Sequence, residues 1–169
     1  GLVADVQQEV SPDMEAPKMA ATTDRLLFFH NLAGNRAVMN MTATRASLAL
    51  ALGMDEAGMV RRLADAKFDG KVIEDGTLVM EKPDLGRIPI MRHFPKDAGR
   101  YLTSGIVFSR YDGVENASIH RMQVLDDRRV AARLVEGRHT HVMLRRALAK
   151  GEKLPVAVTI GTHPAVTFA

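Results

Sequence analysis

The 169 residues are enough for one sizeable core or two small ones, since a chain of this length buries roughly two-thirds of its unfolded surface. With 46% apolar and 25% charged residues the sequence excludes disordered and fibrous classes. A net charge of +3, from 23 basic and 20 acidic residues, lacks the one-sided density of a polyanion binder. The absence of cysteine excludes disulfides and thiolate metal sites.

Ser11-Pro12 reads as a helix start, with Ser11 as N-cap, Pro12 at the first helical position and Pro17 limiting the helix. Residues 25–31 (RLLFFHN) form an apolar run suited to a buried strand, and Gly34-Asn35 turns the chain into a second strand at 37–39. Residues 44–52 form a helix with Leu48 and Leu52 on one face and Gly53 as a left-handed stop. Asp55 caps a further helix lined by Met59, Val60, Leu63 and Ala64 and ended by Gly70.

Residues 71–92 read as short extended pieces broken by Gly76, Pro83, Gly86 and Pro89, a crossing segment with a boundary near Ile88. Beyond it lie four strand-like runs, 101–110, 118–125, 130–135 and 154–160, with turns at Asp112-Gly113 and Asp126-Asp127. A helix over 139–150 interrupts them, with Met143, Leu144, Ala147 and Leu148 on its apolar side and Gly151 after its end. The expectation is an α+β protein, an N-terminal α/β region over 1–87 followed by a small antiparallel barrel or half-barrel over 88–169. The chain opens on Gly1 and closes just after a strand-and-turn pattern, so both ends read as cut. No charged-then-apolar leader and no run approaching the ~20 apolar residues of a bilayer span is visible, and the expected location is the cytoplasm.

Three stretches carry candidate chemistry. In residues 96–105 (KDAGRYLTSG) glycines permit close backbone approach and Arg100 suits an anion, although the same loop serves equally as a hairpin entry. In residues 116–121 (NASIHR) Asn116 offers a neutral oxygen to a divalent ion, and Arg121 a fixed cationic fork. Strand alternation places Ser118 and His120 on one face and Ile119 and Arg121 on the other, so Asn116 and Arg121 would serve different parts of a long ligand. An exposed loop Asn and a surface Arg account for them as well. In residues 133–141 (RLVEGRHTH) arginines and histidines gather where a strand enters a helix, whose N-terminus itself attracts phosphate; a capping histidine is the plainer account of His139. His30, His93 and His163 sit beside apolar or proline-rich stretches and read as structural.

Taken together these blocks resemble the UbiD family of decarboxylases. The likeness extends from Ser11-Pro12-Asp13-Met14-Glu15 through Arg45, Ile88-Pro89-Ile90, the 97–105 loop, 116–123 and Gly137-Arg138-His139 to Leu154-Pro155-Val156-Ala157 and Pro164-Ala165. The resemblance implies a flavin-reductase-like split β-barrel that holds prenylated FMN, with Asn116 and His139 as ligands of a divalent metal, usually manganese, and potassium nearby. It implies cofactor contacts from Asn116, Ser118, Ile119, His120, Arg121, Arg133, Leu134, Val135, Arg138 and His139, and makes Arg121 the residue that positions the substrate carboxylate.

The implied reaction is non-oxidative, reversible decarboxylation of an α,β-unsaturated or aromatic acid, with a flavin prenyltransferase supplying the cofactor and a homo-oligomer as the full-length form. The 131–139 stretch looks closest to archaeal-type members, some of which decarboxylate a phosphorylated anhydromevalonate in isoprenoid synthesis; hydroxybenzoate-type acids stay open. Two departures are Ala98 in place of a common glycine and Pro17 within a helix that the family continues. The glutamate that completes the family's metal site and its acidic proton donors lie beyond residue 169, so this portion alone is expected to be inactive. The alternatives are a non-catalytic flavin-binding module and a subunit of a split decarboxylase. With only 5% aromatic residues and none in 118–123, stacking platforms for RNA are scarce, and neither a nucleic acid nor a membrane is an expected partner.

Overall fold

The computed structural model describes residues 1–67 and 81–168. The chain opens with β1 (Val3–Val10), crosses through α1 (Glu15–Ala21) into β2 (Leu26–Leu32), and turns back along β3 (Asn35–Met39). β1 and β2 pair in parallel and β2 and β3 antiparallel, in the order β1-β2-β3. A parallel pair needs a crossover, and α1 supplies it while covering the sheet. Val6, Val10, Ala16, Leu27, Phe29 and Leu32 form the core between them.

β1 is the element that the sequence pattern did not announce. Of its eight residues only Val6 and Val10 are buried, so its apolar signal is too sparse to stand out from its polar neighbours. The start of α1 also differs from expectation. Ser11 does not cap it; instead Met14 takes a left-handed conformation and the helix begins at Glu15. Pro17 then falls in the first turn, where its missing N–H has no helical partner to lose, and the helix continues to Ala21.

α2 (Arg45–Ala51) starts at Thr44, whose Oγ1 accepts from the Ser47 N–H at 3.0 Å, and stops at Gly53, φ 63°. α3 (Met59–Ala64) buries Met59 but leaves Val60 56% exposed, so the expected apolar side is narrower than four residues. Asp55 accepts from the Gly58 N–H at 2.6 Å, shaping the turn before α3 rather than capping the helix itself. The expected stop at Gly70 lies outside the described residues, as does the 71–80 part of the expected 71–92 crossing segment.

From residue 81 a single 3-10 turn at Leu85–Arg87 precedes two three-stranded antiparallel sheets. One contains β4 (Tyr101–Leu102), β7 (Met122–Val124) and β8 (Val130–Ala132), in the order β4-β7-β8. The other contains β5 (Ile106–Tyr111), β6 (Val114–Ile119) and β9 (Val156–Thr159), in the order β6-β5-β9. Two of the expected long strands are therefore each divided between sheets. The first breaks between Leu102 and Ile106, where a Cβ on Gly105 would meet Met122 Cε at 3.2 Å and Val158 Cγ1 at 3.3 Å. The second breaks at His120-Arg121. Strands that bend from one sheet to the next make corners, and this corner sets the direction of the residues on either side of it.

Ile90, Leu102, Val107 and Met122 form the second core, shared by both sheets. Asp112 and Gly113, both left-handed, make the tight β5–β6 turn. α4 (His139–Ala149) packs on β5 and β6 through Thr140, Met143 and Ala147, while Leu148 points outward at 58% exposure. α5 (Pro164–Phe168) closes the described chain. Arg92 helps tie the two parts together: its Nε and Nη2 donate to the Asp13 carboxylate at 2.6 and 3.2 Å, and the Met14 N–H donates to the Arg92 carbonyl at 2.8 Å. Among the described residues no helix is long and apolar enough to cross a membrane.

Candidate active site

Register places Asn116 opposite Ser109 and Ser118 opposite Val107, so both side chains project from the face of β6 that α4 covers. His120, the last residue before the corner, keeps that alternation and is buried. α4 brings His139 and Thr140 against them. A cleft of about 590 Å³ results, lined by Asn116, Ser118, Ile119, His120, Val135, Gly137, Arg138, His139 and Thr140.

Within it Asn116 Oδ1 lies 3.2 Å from His139 Nδ1. Two ligands at right angles on a metal, each ~2.1–2.2 Å from it, stand ~3 Å apart, so the pair has the spacing of adjacent ligands of one ion. A neutral oxygen with an imidazole nitrogen suits a borderline divalent metal. Among the described residues no group of three or more His, Cys, Asp or Glu side chains gathers to hold an ion. The start of α4 carries no side-chain cap and no acidic residue in its first turn, and Arg138 occupies the N-cap position. Uncapped N–H groups, the helix dipole and one arginine together favour an anion beside the pair. These residues could hold a divalent metal and an anion side by side.

A hydrogen-bond network underlies the cleft. Asn116 Nδ2 donates to Ser118 Oγ at 3.1 Å and to Thr140 Oγ1 at 3.0 Å, while His120 Nε2 stands 2.8 Å from Ser118 Oγ and 3.1 Å from Thr140 Oγ1. Thr140 was not among the residues expected here. Its signal was a hydroxyl on the helical stripe it shares with Met143 and Ala147, an apolar face on which a polar side chain needs a partner.

The remaining expected residues lie elsewhere. Arg121, beyond the corner, points into a smaller cleft of about 280 Å³ with Tyr101, Gln123, Ala131, Ala132 and Arg133. Its guanidinium stacks 4.0 Å above the Tyr101 ring and reaches Asp97 Oδ1 at 3.2 Å. Leu134 is half-buried and lines neither cleft. The structure thus gathers Asn116, Ser118, Ile119, His120, Val135, Arg138 and His139, and sets Arg121 with Arg133 apart from them.

Known proteins share this arrangement of chain. Residues 1–67 match the N-terminal domain, and residues 66–169 the Rift-related domain, of 3-octaprenyl-4-hydroxybenzoate carboxy-lyase. Anhydromevalonate phosphate decarboxylase of Methanosarcina mazei is 38% identical over 100% of this chain and 41% of its own length. The Archaeoglobus fulgidus protein of the same name is 44% identical over 82% of this chain and 34% of its own. Among solved structures, the UbiD-class enzyme HmfF from Pelotomaculum thermopropionicum, in an evolved dimeric form with prFMN, superposes with a TM-score of 0.85 at 29% identity. That alignment covers 98% of this chain and 42% of HmfF. The chain therefore spans about two-fifths of the length of such relatives. It belongs to the UbiD family of carboxy-lyases.

Proposed function

We propose that this chain is the metal- and phosphate-holding portion of a decarboxylase that removes carbon dioxide from an α,β-unsaturated or aromatic carboxylic acid with prenylated FMN and a divalent metal. The observation that carries this reading is the approach of Asn116 Oδ1 to His139 Nδ1, 3.2 Å apart beside the uncapped start of α4. On this reading Asn116 and His139 hold the metal, with manganese as that metal and potassium as a second ion implied by the resemblance. Ser118, Ile119, His120, Val135 and Arg138 line the space for the cofactor's phosphate end. Arg133 and Leu134 would add cofactor contacts from the neighbouring strand, as the resemblance implies.

Prenylated FMN, when bound, supplies the electron sink for the bond that loses carbon dioxide. The chain's own share is orientation. Arg121 stands beyond the corner from Asn116, so a long ligand would meet the metal pair at one end and Arg121 at the other. Its permanent charge and planar fork suit a substrate carboxylate. Asp97 accepts from Nη2 and Tyr101 lies against the guanidinium, while Nε and Nη1, whose N–H groups point to different edges of the fork, carry no hydrogen bond among the described residues.

The finer architecture belongs to the same proposal: residues 1–87 as the N-terminal region, and 88–169 as a split barrel whose two sheets share the corners at 103–105 and 120–121. A phosphorylated anhydromevalonate is the favoured substrate, on the 38% and 44% identities to archaeal enzymes named for it, with a hydroxybenzoate-type acid second. A cytoplasmic homo-oligomer supplied by a flavin prenyltransferase completes the picture. The test is production of the full-length protein together with such a prenyltransferase. Bound modified flavin and release of carbon dioxide from anhydromevalonate phosphate are expected; flavin bound without turnover of any unsaturated or aromatic acid would reduce the chain to a flavin-binding module.

A further inference from the structure

We infer that Thr140 is a positioning residue for Asn116: its hydroxyl, with that of Ser118, fixes the carboxamide so that the oxygen, not the nitrogen, faces His139. The inference rests on the reading of Asn116 and His139 as metal ligands. Thr140 is 4% exposed and its Oγ1 has three polar neighbours, Asn116 Nδ2 at 3.0 Å, Ser118 Oγ at 3.1 Å and His120 Nε2 at 3.1 Å. A buried hydroxyl so surrounded has a defined set of bonds to make.

Proton counting decides the orientation. With Nδ2 inward, its two protons go to Ser118 and Thr140. The Ser118 proton then goes to His120 Nε2, accepting in the tautomer protonated at Nδ1, and the Thr140 proton to Ser118 Oγ. Four of the five short contacts then hold a proton, the one without being His120 Nε2 to Thr140 Oγ1 at 3.1 Å, whereas the opposite orientation fills at most three. The opposite orientation spends both hydroxyl protons on Oδ1 and leaves Ser118 Oγ and Thr140 Oγ1 at 3.1 Å with none between them. It also turns an amide N–H₂, which has no lone pair to give, toward the metal position. The network therefore selects the one arrangement in which Asn116 can act as a ligand, and Thr140 joins it from a different element, so the docking of α4 on β6 and the aim of Asn116 are set together.

The test is manganese affinity of the full-length protein, measured by paramagnetic resonance of the free ion, for Thr140→Val, Thr140→Ser, Ser118→Ala and Asn116→Ala. Loss of an orienting partner costs ~10–100-fold in metal affinity, and Thr140→Val is expected in that range with Thr140→Ser near wild type. In an Asn116→Asp background both ligand oxygens are equivalent, so Thr140→Val is expected to change affinity by less than about threefold, well under the usual effect of an orienting residue. If Asn116→Ala keeps full affinity, the metal reading itself fails. If Asn116→Ala loses the ion while Thr140→Val and Ser118→Ala keep it, the positioning inference is overturned and the metal reading stands. Equal losses in Thr140→Val and Thr140→Ser would assign the effect to packing, also against the inference. Should Thr140→Val not fold, as the melting of the metal-free protein would reveal, Ser118→Ala alone decides, since it removes the other acceptor of Nδ2.

Discussion

The guanidinium of Arg121 sits over the Tyr101 ring, with its central carbon 4.0 Å from the ring centroid. Asp97 holds one amino group from the side, and its other carboxylate oxygen accepts from the Phe94 N–H at 3.0 Å, so the clamp is itself anchored. Lysine has neither a plane to stack nor a fork to share between two carboxylates. Arg121→Lys in the full-length holoenzyme is therefore expected to lower kcat/KM on the order of 10²-fold, the scale of a misplaced reacting group. Steady-state kinetics on the preferred acid checks this, and unchanged turnover in Arg121→Ala would remove Arg121 from the substrate site.

Phe29 is fully buried at the centre of the β1-β2-β3 core, whereas Phe94 is 68% exposed. Phe29→Ala is expected to cost ~3–5 kcal/mol through lost transfer energy and an unfilled cavity, and Phe94→Ala to stay within ~0.5 kcal/mol. Urea unfolding of the two variants beside the parent distinguishes them; equal midpoints would contradict the assigned core.

Much of this architecture was legible from residue chemistry. Thr44 and Gly53 marked the ends of α2, Asp112-Gly113 marked the β5–β6 turn, and the Met143–Ala147 stripe marked the buried side of α4. β1 was hidden because two buried valines in eight residues make no pattern. Pro17 misled because its effect depends on its place in the helix, and that place was set by the left-handed Met14, which nothing local foretold. The site was legible in part for the same reason. Alternation put Ser118 and His120 on one face, but Thr140 joined them only through the docking of α4, and a hydroxyl on an apolar stripe does not say which strand it will meet.

Two contacts tie the end of α4 to the β5–β6 turn. The Tyr111 hydroxyl donates to Glu152 Oε2 at 2.7 Å, and Lys150 Nζ donates to both Asp112 carboxylate oxygens at 3.0 and 3.1 Å. The bond to Glu152 raises the Tyr111 pKa, and the bond to Asp112 raises that of Lys150. A raised folded pKa means stability that is present below the unfolded value, ~10 for both groups, and lost as pH climbs through the folded one. Melting temperature is expected to fall as pH rises above about 10, more steeply in the parent than in Tyr111→Phe or Lys150→Met. Identical slopes would show that these contacts do not form in solution.

Asp126 behaves in the opposite sense. The backbone N–H of Arg128 and the Arg129 side chain lower its pKa, so its share of the β7–β8 turn is present above the ordinary carboxylate range and lost as pH falls through the folded value. Asp126→Asn is expected to flatten the acid side of the stability profile, read by melting below about pH 5; an unchanged acid limb would exclude a contribution from this turn.

The account rests most heavily on one ion shared by β6 and α4. An anomalous-scattering map at the manganese edge, from crystals of the full-length protein loaded with prenylated FMN and manganese, tests it directly. The account predicts a peak within ~2.0–2.3 Å of both Asn116 Oδ1 and a ring nitrogen of His139, in contact with the cofactor phosphate. A peak elsewhere, with Asn116 and His139 bonded only to each other, would contradict it.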